Sequence, residues 1–89
     1  MAHFARLGDR NIVVEVLVIA DSDCIDENGD ESEAVGIAYC KSLFGSNSKW
    51  VQTSYTGRIR GVYASVGFCY DETNDIFFDP FNPDPVYED

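Results

Sequence analysis

An 89-residue chain with 45% apolar and 13% aromatic residues has room for one domain with a real hydrophobic core and none for a second. Its formal net charge of −10, from 6 basic and 16 acidic residues, argues against nucleic acid and anionic membranes as partners, because both require a basic surface. The longest apolar run, residues 16–20, is far too short to span a bilayer, and the first residues lack the apolar segment of a signal peptide.

The first predicted element is an N-terminal β-hairpin. Residues 3–7 form its first strand, with Phe4 as the anchor, and residues 8–11 are rich in turn formers. Residues 12–20 form the strongest predicted strand, because they are rich in β-branched side chains and carry a single charge, Glu15. Such near-continuous apolarity predicts burial on both faces at the far end of this strand.

An acidic loop over residues 21–30 raises the question of a calcium site. When Gly29 is placed at position 6 of an EF-hand loop, Cys24 falls at position 1 and Val35 at position 12. Both ends then lack the required oxygen ligand, which excludes an EF-hand. A solvated loop is the preferred interpretation, and a looser calcium site on three carboxylates stays open: Asp21, Asp23 and Asp26.

One helix is predicted after this loop, capped by Asp30 or Ser32 and running to about residue 44. Gly45 follows as the residue that ends it. Five residues share one face of this helix at helical spacing and are predicted to be buried: Gly36, Ile37, Cys40, Leu43 and Phe44.

The second half of the chain alternates weakly between strand and turn. Residues 50–55 predict a middle strand, residues 56–61 an irregular basic connection, and residues 63–70 a further strand that Gly67 weakens. A turn at residues 71–74 then predicts a second hairpin over residues 68–78.

These elements together predict an α+β fold for residues 1–79. It has a small antiparallel β-sheet, made of N-terminal and C-terminal hairpins plus a middle strand, and one packed helix. Three prolines make residues 80–89 an extended acidic tail.

The charge is distributed unevenly. No acidic residue lies between residues 34 and 70, a segment that carries four basic residues: Lys41, Lys49, Arg58 and Arg60. All 16 acidic residues therefore lie in the flanks. Either these flanks fold back onto the basic middle of the same chain, or they meet the basic middle of a neighbour.

Nothing in the sequence predicts an enzyme, a metal site or a cofactor. His3 is the only histidine, so no triad with a histidine base can be built without it, and zinc binding by His3 and the cysteines has no paired CxxC spacing to support it. The glycines around Arg58 and Arg60 form no phosphate-binding motif. These two arginines instead predict a site that docks partner carboxylates.

The three cysteines do not predict disulfides. An odd number without paired spacing is typical of a protein from a reducing compartment, here suggesting assembly in a cytoplasm. Cys40 and Cys69 lie in apolar stretches and are predicted to be buried. Cys24 lies in the acidic loop, where carboxylates disfavour its thiolate.

The end of the chain predicts partner binding. A tail that only solvates rarely carries aromatic side chains, whereas aromatic anchors on a proline-stiffened strand suit docking into a neighbour's groove. The predicted anchors are Phe77, Phe78, Phe81 and Tyr87.

Several segments resemble small proteins of marine tailed bacteriophages, including cyanophages. They are MAHFARL, NIVVEVLVIA, EAVGIAYCKSLFG, WVQTSY, IRGVYASVGF and YDE, and they cover roughly residues 1–78. The resemblance implies a virion structural protein that has no catalytic residues. Some similar proteins look like longer chains associated with tail fibres, and because this chain ends soon after Pro80 we expect a compact particle component.

The leading hypothesis is therefore a capsid decoration protein, located in the virion and bound to the major capsid protein or to sister subunits as a homo-oligomer. One alternative is a tail or tail-fibre component that helps host attachment. The other is an acidic cytoplasmic inhibitor or DNA mimic, which would be absent from purified particles and would carry its acidic residues on one face.

Overall fold

The computed structural model describes residues 1–81, and the α+β class is confirmed. Three strands form one antiparallel sheet in the order β2-β1-β3, and two further strands form a second antiparallel sheet. The elements are β1 Ala2–Leu7, β2 Val13–Ile19, α1 Glu33–Phe44, β3 Lys49–Thr53, β4 Cys69–Asp71 and β5 Ile76–Phe78. Within residues 1–81, no helix has the length and apolarity needed to cross a membrane. The predicted boundary between residues 79 and 80 stays a prediction, because most of the tail lies outside the described residues.

The predicted N-terminal hairpin is confirmed, with β1 as the central strand. Phe4 in β1 lies opposite Leu17 in β2 and opposite Gln52 in β3. The β1–β2 register shifts after Arg6, which is a β-bulge. The turn is closed by the Gly8 N–H, which donates to the Ile12 carbonyl at 2.8 Å.

The expected burial of both faces at the far end of β2 is wrong: Ile19 is buried, but its neighbour Val18 is 45% exposed. The physical reason is that β2 lies at an edge of the sheet, where the packing on one face covers Leu17 and Ile19 and the packing on the other face covers Val13 and Val16 but not Val18. Apolar composition alone does not distinguish an edge strand from a central one.

The sheet separates two hydrophobic clusters. On one face, α1 packs against a cluster made of Ala2, Phe4, Ile19, Cys24, Cys40 and Trp50. On the other face, residues 62–64 and the β4–β5 hairpin cover a cluster made of Ala5, Leu7, Val13, Val51, Ala64 and Phe77. Residues 54–68 therefore run from β3, at one edge of the sheet, across this second face to β2 at the other edge, where the Val13 N–H donates to the Phe68 carbonyl.

The structure decides how α1 is capped. Ser32 is the N-cap, and its Oγ accepts a hydrogen bond from the Val35 N–H at 3.3 Å. At the other end Gly45 has a φ of 107°, and its N–H donates to the Lys41 carbonyl at 2.8 Å. Of the predicted buried face, Gly36 and Cys40 are buried and Ile37 is half-buried, but Leu43 and Phe44 are 56% and 37% exposed. In the last turn it is Phe44 that contacts the sheet, with its ring 5.3 Å from the Trp50 ring, and Leu43 faces solvent.

The predicted C-terminal hairpin is also confirmed, as β4 pairs with β5. The predicted strand over residues 63–70 is wrong for its first six residues, since β4 begins only at Cys69. Gly67 has a φ of 95°, and the Phe68 N–H donates to the Ser65 carbonyl at 2.9 Å. This turn uses the backbone groups that a longer strand would need.

The three cysteines are free thiols, and their environments differ. Cys24 and Cys40 are buried, whereas Cys69 is only half-buried, contrary to the prediction. Burial raises the pKa of the Cys24 thiol, and the nearby carboxylates of Glu31 and Asp21 raise it further. The disfavoured thiolate is as predicted, but burial is its main cause.

Burial also raises the pKa of the Cys40 thiol to about 11, so Cys40 is expected to resist alkylation in the folded protein. With iodoacetamide at pH 8, we expect labelling at least ~10-fold slower than in the urea-unfolded chain, because the lost thiolate outweighs its higher nucleophilicity. Quantitative peptide mass spectrometry measures this rate, with half-buried Cys69 as the faster internal reference. Equal rates for Cys40 in the folded and unfolded chain would contradict the expectation.

Candidate functional site

One arginine fixes the long loop between β3 and β4 to the rest of the domain. The Arg60 guanidinium donates to Glu33 Oε1 at 3.0 Å, to Asp75 Oδ1 at 2.7 Å and to the Gln52 carbonyl at 3.0 Å. Tyr70 also donates its hydroxyl to Asp75 Oδ1. The Arg60 side chain is only 17% exposed. We call these five residues, Arg60, Glu33, Gln52, Asp75 and Tyr70, the Arg60 clamp.

The Arg60 clamp joins elements that are distant in sequence. Glu33 is the first residue of α1, Gln52 lies in β3, and Asp75 lies in the turn of the second hairpin. Burial by itself lowers the pKa of Arg60, but its hydrogen bonds to Asp75 and Glu33 raise it by more, so the guanidinium stays charged. A single charged side chain therefore holds the helix, the sheet and the hairpin together.

These ion pairs bear on whether the acidic flanks fold back onto the basic middle of the same chain or meet that of a neighbour. Arg60 and Lys49 of the basic middle pair with Glu33, Asp75 and Glu72 of the acidic flanks, with Lys49 Nζ 3.9 Å from Glu72 Oε2. At these two cations the flanks fold back onto the middle of the same chain.

The Arg60 clamp makes stability sensitive to acid. The hydrogen bonds from Tyr70 and Arg60 hold the pKa of Asp75 below its usual value. A carboxyl with a lowered folded-state pKa contributes stability that is present above its unfolded pKa and lost as the pH falls through its folded pKa. We therefore expect the free energy of unfolding to fall less steeply with decreasing pH, below about pH 4, in Asp75→Asn than in the wild type. Urea titrations between pH 2 and 7 measure this, with Asp9→Asn as an exposed control; an unchanged slope for Asp75→Asn would contradict it.

Two further hydrogen bonds fix the ends of this loop. Buried Thr53 accepts the Ala64 N–H on Oγ1 at 3.0 Å, and the Phe77 N–H donates to the Arg60 carbonyl at 2.9 Å. A turn in which the Gly57 N–H donates to the Ser54 carbonyl at 2.9 Å lies between them. These hydrogen bonds hold residues 54–64, which include the irregular basic connection predicted at residues 56–61. We call residues 54–64 the fixed loop.

The fixed loop presents aromatic and basic side chains to solvent. Tyr55 is 71% exposed and Ile59 is 38% exposed, and Arg58 is exposed beside them. Tyr55 and Tyr63 pack edge to face with ring centroids 5.3 Å apart, and the His3 ring centroid lies 5.9 Å from that of Tyr55 and 5.6 Å from that of Tyr63. We call His3, Tyr55, Arg58, Ile59 and Tyr63 the tyrosine surface.

Two open clefts flank Tyr55, and Tyr55 and Thr56 line both. The first has a volume of about 420 Å³ and is also lined by His3, Gln52, Ser54, Arg58 and Ile59. The second has a volume of about 390 Å³ and is also lined by Gly57, Gly61, Val62 and Tyr63. An exposed aromatic ring between two clefts can interdigitate with side chains of a partner protein.

The residue types of the tyrosine surface are typical of a protein–protein contact. His3 is engaged by two tyrosine rings, those of Tyr55 and Tyr63. Among residues 1–81, no group of three or more His, Cys, Asp or Glu side chains is arranged to hold a metal ion. Tyrosine and arginine are the residue types that contribute most to protein–protein binding energy.

No family model, curated protein or solved structure matched this chain.

The two predicted arginines differ in position. Arg58 is exposed at the first cleft and remains available to a partner carboxylate. Arg60 is not available, because its guanidinium is occupied by the clamp. Sequence patterning could not separate these two residues, since they flank the same isoleucine and the difference depends on Glu33 and Asp75.

The predicted aromatic anchors are not brought together either. Phe77 is a core residue, 2% exposed, because β5 turns it onto the sheet, so it serves the fold. Phe78 is half-buried, Phe81 is 89% exposed, and Tyr87 lies outside the described residues. Of the three predicted anchors that lie within residues 1–81, Phe81 is therefore the one that is fully accessible.

The sequence interpretation missed His3, Tyr55 and Tyr63 as a cluster. Their contacts join β1 to both ends of the fixed loop, across more than fifty residues of sequence. The available signal was a tyrosine on either side of the glycine-rich basic connection.

Proposed function

We propose that this chain is a structural protein of a tailed-bacteriophage virion, and that it decorates the capsid by docking onto coat protein or sister subunits. The observation that carries the docking role is the tyrosine surface, an exposed aromatic and basic patch on a loop held by the Arg60 clamp. The resemblance to small virion proteins of marine phages supports the setting.

The fixed loop suits docking because little order must be gained on binding. Association costs free energy for every side chain and loop that becomes immobilised at the interface. Here the loop is already held at Arg60, Thr53 and Phe77, and the Tyr55 ring packs against the rings of His3 and Tyr63. Most of the ordering cost is therefore met during folding.

The charges indicate what the partner presents. Arg58 can form a bidentate pair with a carboxylate, while the acidic loop over residues 21–30 favours a basic surface nearby. A coat lattice offers such a mixed surface many times, and several weak contacts on one lattice can hold a subunit through multivalency.

Mass spectrometry of gradient-purified particles tests this proposal, with peptide abundance measured against the major coat protein. We expect hundreds of copies per particle, as a shell decoration requires. A few to a few dozen copies would place the chain in the tail or fibres. Its absence from particles would end the structural proposal and favour the cytoplasmic inhibitor.

Tyr55→Ala is expected to weaken binding of the purified chain to particles stripped of it by about 10–30-fold, because an exposed tyrosine at the centre of an interface acts as a hot spot. Arg58→Ala should weaken it by a smaller factor. Binding is measured by co-sedimentation, and folding of each variant is checked by circular dichroism. Val66→Ala is the matched control, since Val66 is 69% exposed and lines neither of the two clefts. Equal binding by Tyr55→Ala and Val66→Ala would remove the tyrosine surface from the proposal.

The same assay tests the tail. A chain that ends at Asp79 lacks Phe81 and Tyr87 and is expected to lose particle binding. Unchanged occupancy would reject tail docking and leave docking by the tyrosine surface intact.

A further inference from the structure

The two edges of the three-stranded sheet differ in how they are protected. At the β3 edge, the Gln52 N–H donates to Glu33 Oε2 at 2.9 Å and the Gln52 carbonyl accepts from Arg60 at 3.0 Å. Side chains of the Arg60 clamp therefore occupy the outward backbone groups of Gln52, at the middle of this edge, while Trp50, the other outward residue of β3, has no such contact within residues 1–81. At the β2 edge, Val13 is the residue occupied within residues 1–81, since its N–H donates to Phe68 and its carbonyl accepts from Gly67.

The backbone alternation identifies the open groups of β2. The N–H and carbonyl of Gln52 point away from β1, because they bond to Glu33 and Arg60. Phe4 lies opposite Gln52, so the N–H and carbonyl of Phe4 point to the other neighbouring strand, β2, where Phe4 lies opposite Leu17. Leu17 therefore pairs with β1, and its neighbours Val16 and Val18 direct their N–H and carbonyl groups outward. Among residues 1–81, no strand pairs with β2 on that side beyond Val13.

The open edge lacks the usual protective features. Natural edge strands carry lysine, proline or a bulge that discourages pairing with another chain. Residues 15–19 have none of these, and the β2 bulge lies before them. The one charge, Glu15, is paired with Arg6 of β1 at 3.7 Å, and Val18 is 45% exposed.

We propose that two copies of this chain pair through β2, antiparallel, about a two-fold axis at Leu17, to form a continuous six-stranded sheet. In this register Val16 of each copy lies opposite Val18 of the other, so the outward hydrogen-bonding groups of both strands are satisfied. Glu15 lies opposite Ile19 of the second copy, so no like charges face each other. The segment is its own complement, which is why the occupant is a second copy of this chain.

Such a dimer would present two docking surfaces together. Val18 lies beside His3 in the β1–β2 register, and His3 belongs to the tyrosine surface. The two-fold axis therefore places both tyrosine surfaces on the same face of the joined sheet, which allows bivalent attachment. The pairing itself does not rest on the proposed function, because it is a property of the purified chain.

Sedimentation velocity of the full chain at increasing concentration tests the pairing. We expect a monomer–dimer equilibrium whose dissociation constant falls by a few fold as salt rises, because salt screens the repulsion between two acidic chains. Val18→Lys should raise that constant at least ~10-fold, since a lysine on an edge strand opposes pairing. Leu43→Lys adds the same charge at an exposed position of α1, which contacts β3 and β1, and should leave it unchanged.

Amide hydrogen exchange of the wild-type chain provides a second readout that needs no variant. The amides of Val16 and Val18 should become protected as the dimer forms, whereas the Leu17 amide should be protected at every concentration. A chain that stays monomeric with unprotected Val16 and Val18 amides would overturn the proposal. So would protection without dimerisation, which would assign the edge to residues 82–89 of the same chain, and so would a dimer that Val18→Lys leaves intact.

Discussion

Gly36→Ala is expected to destabilise the domain by about 2 kcal/mol, although alanine is the best helix former. A Cβ added at Gly36 would lie 2.2 Å from Phe4 Cζ and 2.8 Å from Phe4 Cε1. Phe4 is fully buried between β1 and α1, so its ring cannot withdraw without displacing the cluster around it. The overpacking penalty exceeds the roughly 1 kcal/mol gained in helix propensity. Urea denaturation measures the difference.

Two companion variants make this result specific. Ala38→Gly, at an exposed position of α1, should cost about 1 kcal/mol and show the ordinary preference for alanine in the same helix. Phe4→Leu shortens the ring that meets Gly36, so the double variant Phe4→Leu/Gly36→Ala should be more stable than the sum of the single effects by about 1 kcal/mol or more. Strict additivity would show that the contact between Gly36 and Phe4 does not limit the packing.

Arg60→Ala is expected to cost about 2–4 kcal/mol of unfolding free energy, because it removes charged hydrogen bonds to three partners and leaves the Gln52 carbonyl without its donor. Arg60→Lys keeps the charge but loses the forked geometry, and should fall between alanine and wild type. Arg60 also has a φ of 54°, which alanine tolerates poorly. Arg60→Gly should therefore be about 1 kcal/mol more stable than Arg60→Ala.

Arg58→Ala is the matched control for this series. Arg58 is exposed two residues away, so its loss should change stability by no more than about 0.5 kcal/mol while it weakens particle binding. Arg60→Ala should lower both stability and binding, because it releases the loop that carries Tyr55. If the two arginines had equal effects on stability, the Arg60 clamp would not be the element that fixes the loop.

The Arg60 clamp acts at the β3 edge of the sheet, where it binds the backbone groups of Gln52 and fixes the loop that carries Tyr55. In the proposed docking role, folding and docking therefore depend on the same interactions, and β2 is the edge left for the proposed pairing of two copies.

The sequence determined the local structure of this protein. The strand pattern of residues 3–7 and 12–20, the end of α1 at Gly45, and the turn before β5 each depend on residues within a few positions of one another. Their hydrogen bonds and periodicity are local, so the α+β class and both hairpins could be predicted from the sequence.

The tertiary structure decided which residues meet. It placed Phe77 and Arg60 inside the fold and left Leu43 and Val18 exposed. It also brought His3 of β1 against two tyrosines of a distant loop. Each of these outcomes depends on where elements far apart in sequence pack or pair, and residue type and spacing do not encode which edge of a sheet stays open. Of the tyrosine surface, only Arg58 was therefore predicted from the sequence, and its aromatic centre emerged only from the packing of the fixed loop against β1.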